Sequence, residues 1–63
     1  ELKQTAALLA ERARTTGETQ EIGPLNPYAR RLVHLVVAED PTVSSESVGD
    51  AFLKTVLISA NES

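Results

Sequence analysis

The stretch NPYARRLVH, residues 26–34, decides the fold of this chain and carries most of its functional information. Asn26 is a preferred helix N-cap, because its side chain accepts a bond from a backbone N–H that the helix leaves unpaired. Pro27 suits the first helical position, where its missing N–H costs nothing. The residue before Pro41 avoids helical backbone geometry. We therefore predict a helix over residues 26–39.

The side chains of this helix divide into two faces. At about 100° per residue, one broad arc is apolar and comprises Tyr28, Leu32, Val33, Leu35 and Val36. Arg30, Arg31 and His34 fall on the opposite side, within about 100° of each other. We therefore expect the apolar arc, including Tyr28, to face the core. The three polar side chains are expected to face solvent or a ligand.

A leading helix is predicted over residues 1–16. The apolar residues of this segment recur with the spacing of one helical face and comprise Leu2, Ala6, Leu9 and Ala10 with Ala13, widened by Leu8. Gly17 follows them and is a natural left-handed cap, so the helix is expected to end there.

The remaining segments favour extended structure. Residues 19–22 form either a short strand or an extended linker. Residues 42–48 have the composition of an edge strand, and residues 53–59 that of an apolar central strand joined to it as an antiparallel hairpin. Residues 61–63 are expected to be a frayed tail. Two helices over a small antiparallel sheet make an α+β domain.

Length and composition exclude several classes of protein. A chain of 63 residues forms one small domain, and such a domain buries about 60% of the surface of its unfolded chain. With no cysteine and one histidine, it offers no disulfide and no structural zinc site, which needs about four ligands. Neither a signal peptide nor an apolar run of about 18 residues occurs, so we expect a cytoplasmic protein. The start at Glu1 suggests a piece of a longer protein.

The net charge of −3 argues against strong nonspecific binding to nucleic acid. Charges more than roughly 8 Å apart are largely screened at cellular salt, so local clusters of charge matter more than the total. Arg30 and Arg31 stand side by side in the main helix. The chain therefore favours a weak and local contact with an anionic ligand.

Arg30 and His34 are neighbours on the helix surface, because they stand four residues apart. The arginine fork matches phosphate oxygens, and a histidine can donate a hydrogen bond or stack on a base. The same pair also fits an ordinary solvated helix face, which the spacing alone favours.

Tyr28 has two interpretations as well: stacking on a base, or packing in the core, which its position on the apolar arc favours. Phe52, in the hairpin loop, is the aromatic expected to be exposed.

The sequence resembles the R-three-H domain, named for its Arg-x-x-x-His spacing, here Arg30 and His34. The similarity to the bacterial Jag (SpoIIIJ-associated) proteins covers nearly the whole chain. After the leading helix it includes Gly17–Tyr28, the Glu39–Val43 stop, Ser45–Ser47 and the closing apolar strand with Lys54.

This resemblance implies helices packed on a three-stranded sheet in the order α-β-α-β-β, with residues 19–22 as the first strand. It also implies binding of single-stranded RNA, with single-stranded DNA as an alternative ligand, through Arg30, His34, Arg31 and Lys54. In Jag-like proteins the domain follows a KH domain, and the parent protein is linked to cell elongation. We expect neither cofactor nor metal. We expect no enzyme, because one histidine without a partner base or phosphate loop leaves no catalytic group.

Two departures from the family pattern support an alternative. Ala29 stands where the family commonly has the Glu of a capping box. The loop at residues 51–53 is less polar than is usual, and Phe52 and Leu53 in it indicate contact with another domain. The alternative is therefore a protein-interaction or scaffolding module with little affinity for nucleic acid.

Overall fold

The computed structural model describes residues 1–61, and its elements follow the predicted order. They are α1 (Leu2–Thr16), β1 (Gln20–Leu25), α2 (Pro27–Ala38), β2 (Val43–Val48) and β3 (Lys54–Ala60). The strands form one antiparallel sheet in the order β1-β3-β2. The predicted α+β fold is thus confirmed, with β3 as the central strand and β2 as an edge strand.

The helix termini follow from local capping. Asn26 caps α2, where its Oδ1 accepts a hydrogen bond from the Ala29 backbone N–H at 2.8 Å. Gly17 ends α1 with a φ of 78°, in the left-handed region that glycine adopts without a steric penalty. Its N–H donates to the Ala13 carbonyl at 2.9 Å. Both predicted caps are confirmed.

Strand β1 differs most from its prediction, because it continues to Leu25 instead of ending at residue 22. Its pairing with β3 shifts register between Ile22 and Leu25, which accommodates Pro24, a residue that cannot donate to the ladder. Gly23 has a φ of 139°, and a Cβ there would lie 3.0 Å from the Lys54 carbonyl oxygen. This close approach of two backbones requires glycine.

Both helices pack on one face of the sheet, and the core between them is aliphatic. Its buried members are Ala6, Ala10, Ala13, Ile22, Val33, Val37, Val43, Val56 and Ile58. Helix α1 contributes only alanines to this buried set, with Leu2 and Leu9 packed at the margin. The small side chains let the α1 backbone approach its neighbours closely.

The buried face of α2 is rotated relative to the predicted one. Val33 and Val37 are buried, whereas Leu35 is 54% exposed and Tyr28 is 72% exposed. The prediction that Tyr28 packs in the core is therefore wrong. Val33 and Val37, four residues apart, enter the core, and Leu32 and Val36 line a groove beside α1, so Tyr28 in the first turn of α2 stays outside the core. Leu8, predicted to widen the α1 stripe, is exposed as well.

Candidate nucleic-acid interface

The start of α2 and the loop between β2 and β3 meet at one end of the molecule. Leu25, directly before the α2 cap, pairs with Lys54, the first residue of β3. Because α2 runs antiparallel to β2, its first turns lie toward the loop at residues 49–53. We call this part of the molecule the open end, and it comprises Tyr28, Arg30, Arg31, Phe52, Leu53 and Lys54.

The open end contains cations that have no carboxylate partner within residues 1–61. Arg31 is exposed, and Arg30 and Lys54 are half-buried. Within residues 1–61, the ion pairs are those of Arg14, with Glu11 at 3.7 Å and with Asp40 at 3.6 Å. The first turn of α2 also carries no acidic residue. The guanidinium and ammonium groups of the open end are therefore available to an anionic ligand.

His34 lies one turn after Arg30, but its ring is directed at the protein. Nδ1 lies 2.6 Å from the Ser45 Oγ, and Nε2 lies 2.8 Å from the Ser47 Oγ. A neutral imidazole donates from one nitrogen and accepts at the other, and hydroxyls take either role, so both contacts are satisfied together. The expectation that His34 faces solvent is therefore wrong. Its side chain instead joins α2 to the edge strand β2.

The structure thus separates the predicted site residues. Arg30, Arg31 and Lys54 share the open end, whereas His34 is held over the middle of β2. That any of them contacts nucleic acid stays a prediction. A signal for the His34 contact was present in the sequence, because two serines separated by one residue in a strand point to the same face.

The exposed aromatics were only half predicted. Phe52 is 72% exposed, as expected of a loop residue, and Tyr28 is exposed to the same extent. They are the single phenylalanine and the single tyrosine of a chain without tryptophan. The core of this protein therefore contains no aromatic ring, and both rings lie at the open end.

The opposite end of the molecule is closed by hydrogen bonds, and we call it the tied end: Arg14, Asp40, Pro41, Thr42, Val43, Ser44 and Asn61. The Asp40 Oδ1 accepts from the Thr42 hydroxyl at 2.6 Å and from its backbone N–H at 2.9 Å. These two bonds, assisted by the Arg14 guanidinium, lower the pKa of the Asp40 carboxyl below its ordinary value. The Asn61 Nδ2 donates to the Pro41 carbonyl at 3.0 Å, so this first residue of the predicted frayed tail is held. The other two, Glu62 and Ser63, lie outside the described residues.

Other kinds of site have no support in the described part of the chain. Residues 1–61 contain no cluster of three or more His, Cys, Asp or Glu side chains able to hold a metal ion. No helix among those residues is long and apolar enough to cross a membrane.

Comparison with known proteins adds one finding. The family model for the R-three-H domain matches residues 1–59. No curated protein matches the chain.

Proposed function

This chain belongs to the R-three-H domain family, whose members are generally nucleic-acid-binding modules, and we propose that it binds single-stranded RNA without catalysing a reaction. The parent is a cytoplasmic Jag-like protein in which a KH domain precedes this module. Single-stranded DNA, with the same phosphate chemistry, is the competing ligand.

The observation that carries this proposal is the group of cations at the open end, which form no ion pair within residues 1–61. Arg30 and Arg31 stand next to each other on the first turns of α2. Lys54 is the first residue of β3 and pairs with Leu25, the last residue of β1 before the α2 cap. Cations without internal partners lose no ion pair when a phosphate binds. Contacts of this kind position a strand but do not read its sequence.

Charge elsewhere on the molecule limits the affinity. The chain has nine acidic and six basic residues, and most of the acids lie outside the open end. We therefore propose that the module assists a neighbouring domain. Tethering to a KH domain on the same chain raises the local concentration of the module at the RNA, which strengthens binding without any new contact.

We assign His34 a positioning role in this function. Both of its ring nitrogens have serine partners on β2, so a phosphate would have to displace at least one of these bonds. By joining α2 to β2, His34 holds the helix turn that precedes it. Arg30 lies in that turn, on the same side of the helix as His34.

The salt dependence of RNA binding tests the proposal. For single strands, the slope of log K against log salt is about −0.7 for each phosphate contact. We expect a slope of about −2 for three cations, measured by fluorescence anisotropy with a labelled oligouridylate of about eight nucleotides. Arg30→Ala, Arg31→Ala and Lys54→Ala should each make the slope less negative by about 0.7.

Matched variants complete the experiment. Arg12→Ala removes an exposed arginine from α1, outside the open end, and should leave binding and slope nearly unchanged. His34→Ala should weaken binding with the full slope retained, because the cations remain. A slope reduced by His34→Ala as much as by Arg30→Ala would instead make His34 a direct contact. Wild-type protein that binds no RNA would overturn the function and favour the protein-interaction alternative.

A further inference from the structure

The position of the aromatic side chains is unusual for so small a protein. A buried aromatic ring removes about 150–250 Å² from water, more than the alanines and valines that form this core. Tyr28 and Phe52 are nevertheless both 72% exposed, and Leu53 beside Phe52 is also exposed. In residues 1–61, both rings that could enlarge the core lie outside it. Packing therefore does not account for either one.

Both rings flank the cations of the open end. Tyr28 lies one helical turn before Arg31, so these two side chains are neighbours on the surface of α2. Phe52 lies two residues before Lys54. The Leu25–Lys54 pair brings these two segments together across adjacent strands. Each of the two segments that meet at the open end therefore carries one exposed ring and at least one cation.

We propose that Tyr28 and Phe52 are stacking platforms for unpaired bases of the strand whose phosphates the three cations hold. This inference rests on the proposed function and adds the groups that bind the bases. A single-stranded nucleic acid carries a phosphate and a planar base at every nucleotide. The open end correspondingly carries cations for the phosphates and exposed aromatic side chains for the bases. In a duplex the bases are stacked on each other and their faces are closed, so this site selects unpaired strands.

Stacking also predicts how the site discriminates. Every base has a π-face, so the platforms accept different sequences with similar affinity. The contribution of the rings does not depend on counterion release, because no charge is neutralised. Loss of a ring should therefore weaken binding and leave the salt slope unchanged, the opposite of what loss of a cation does to the slope.

The experiment compares two probes: oligouridylate of about eight nucleotides, and an abasic oligomer of equal length that carries the phosphates without bases. Tyr28→Ala and Phe52→Ala should each raise the Kd for oligouridylate about tenfold and leave the Kd for the abasic oligomer unchanged. Phe52→Leu keeps an apolar side chain without the ring and should weaken binding as Phe52→Ala does. Leu8→Ala removes an exposed apolar side chain of α1, outside the open end, and is the matched control that should bind as wild type does.

Nuclear magnetic resonance gives an independent measurement. The chain has one tyrosine, one phenylalanine and one histidine, so each aromatic ring is resolved. Oligouridylate should move the ring resonances of Tyr28 and Phe52 upfield and shift those of His34 much less, whereas the abasic oligomer should move none of the three strongly. Unchanged affinity in both aromatic variants, together with weakened binding by Arg30→Ala, would overturn stacking and leave the phosphate function standing. Wild-type protein that binds neither probe would overturn both.

Discussion

The two ends of this domain use polar side chains in opposite ways. At the tied end, Thr42 donates a hydrogen bond to Asp40 within the α2–β2 turn, and Asn61 donates one to the Pro41 carbonyl of the same turn. The second bond joins this turn to the residue that follows β3. At the open end, Arg30 and Lys54 make no ion pair within residues 1–61. Groups satisfied within the chain stabilise the fold, whereas groups left without partners are suited to a ligand.

This difference assigns separate effects to substitutions at each end. Changes at the tied end should lower the free energy of unfolding, and changes at exposed positions of the open end should stay within about 0.5 kcal/mol of wild type. His34 lies between the ends, and its bonds to β2 place it with the stabilising groups.

The largest effect on stability is expected from His34→Ala. The substitution leaves the hydroxyls of Ser45 and Ser47 without their partner and removes a half-buried ring. A loss of about 2–3 kcal/mol follows from these terms. In a domain of this size, that corresponds to a fall in Tm of roughly 10–20 °C.

Thermal unfolding followed by circular dichroism measures this loss. Ser45→Ala and Ser47→Ala each remove one of the two bonds and should cost about 1 kcal/mol. Arg31→Ala, on the exposed side of the same helix, is the control. Equal stability of His34→Ala and Arg31→Ala would show that the contact with β2 contributes nothing and that the ring is as free as the open-end cations.

Asn61→Ala is expected to have the next largest effect. Its amide nitrogen donates to the Pro41 carbonyl at 3.0 Å and to the Val43 carbonyl at 3.3 Å. Its Oδ1 also accepts from the Ser44 hydroxyl. These are largely exposed bonds, so we expect a loss of about 1–2 kcal/mol in chemical denaturation. If Asn61→Ala lost no more unfolding free energy than Leu53→Ala at the open end, the two ends would not differ in their contribution to stability.

The contacts of His34 and Asn61 show which features the sequence could predict. Helix caps depend on neighbours, so Asn26 and Gly17 identified their termini, and the apolar pattern placed β3 at the centre of the sheet. The serine partners of His34 lie 11 and 13 residues away, and the Pro41 partner of Asn61 lies 20 residues away. Such pairs depend on how the helices and strands pack together, and the residue periodicity of a single segment gives no information about that packing.

The orientation of α2 was mispredicted for the same reason. An arc of apolar residues gives the average apolar direction of an isolated helix, and it included Tyr28. In the folded chain, Val33 and Val37 are buried in the core, whereas Leu32 and Val36 line a groove beside α1. The combined buried surface is rotated toward His34. Of the candidate site, the sequence located the cations but assigned the tyrosine to the core and the histidine to solvent.

The smallest effect is the pH dependence that Asp40 contributes to stability. The Thr42 hydroxyl, the Thr42 backbone N–H and then Arg14 lower the pKa of its carboxyl in the folded state. A lowered folded-state pKa stabilises the fold above the ordinary pKa of an aspartate, about 3.9, and this stabilisation is lost as pH falls through the lower folded-state value. Wild type should therefore exceed Asp40→Asn in Tm near neutral pH, and the difference should shrink in the acid range.

Substitutions of the two residues that lower the Asp40 pKa, Thr42 and Arg14, show which of them contributes more. Thr42→Val removes the hydroxyl donor and keeps the shape of the side chain, and Arg14→Gln removes the cation 3.6 Å from the Asp40 carboxylate. We expect Thr42→Val to reduce the acid-dependent part of the Tm difference more than Arg14→Gln does, because the hydroxyl bond is the largest cause. A difference between wild type and Asp40→Asn that stays constant from neutral to acid pH would mean that the carboxylate charge adds nothing. The tied end would then be held by neutral hydrogen bonds alone, and charge would matter only at the open end.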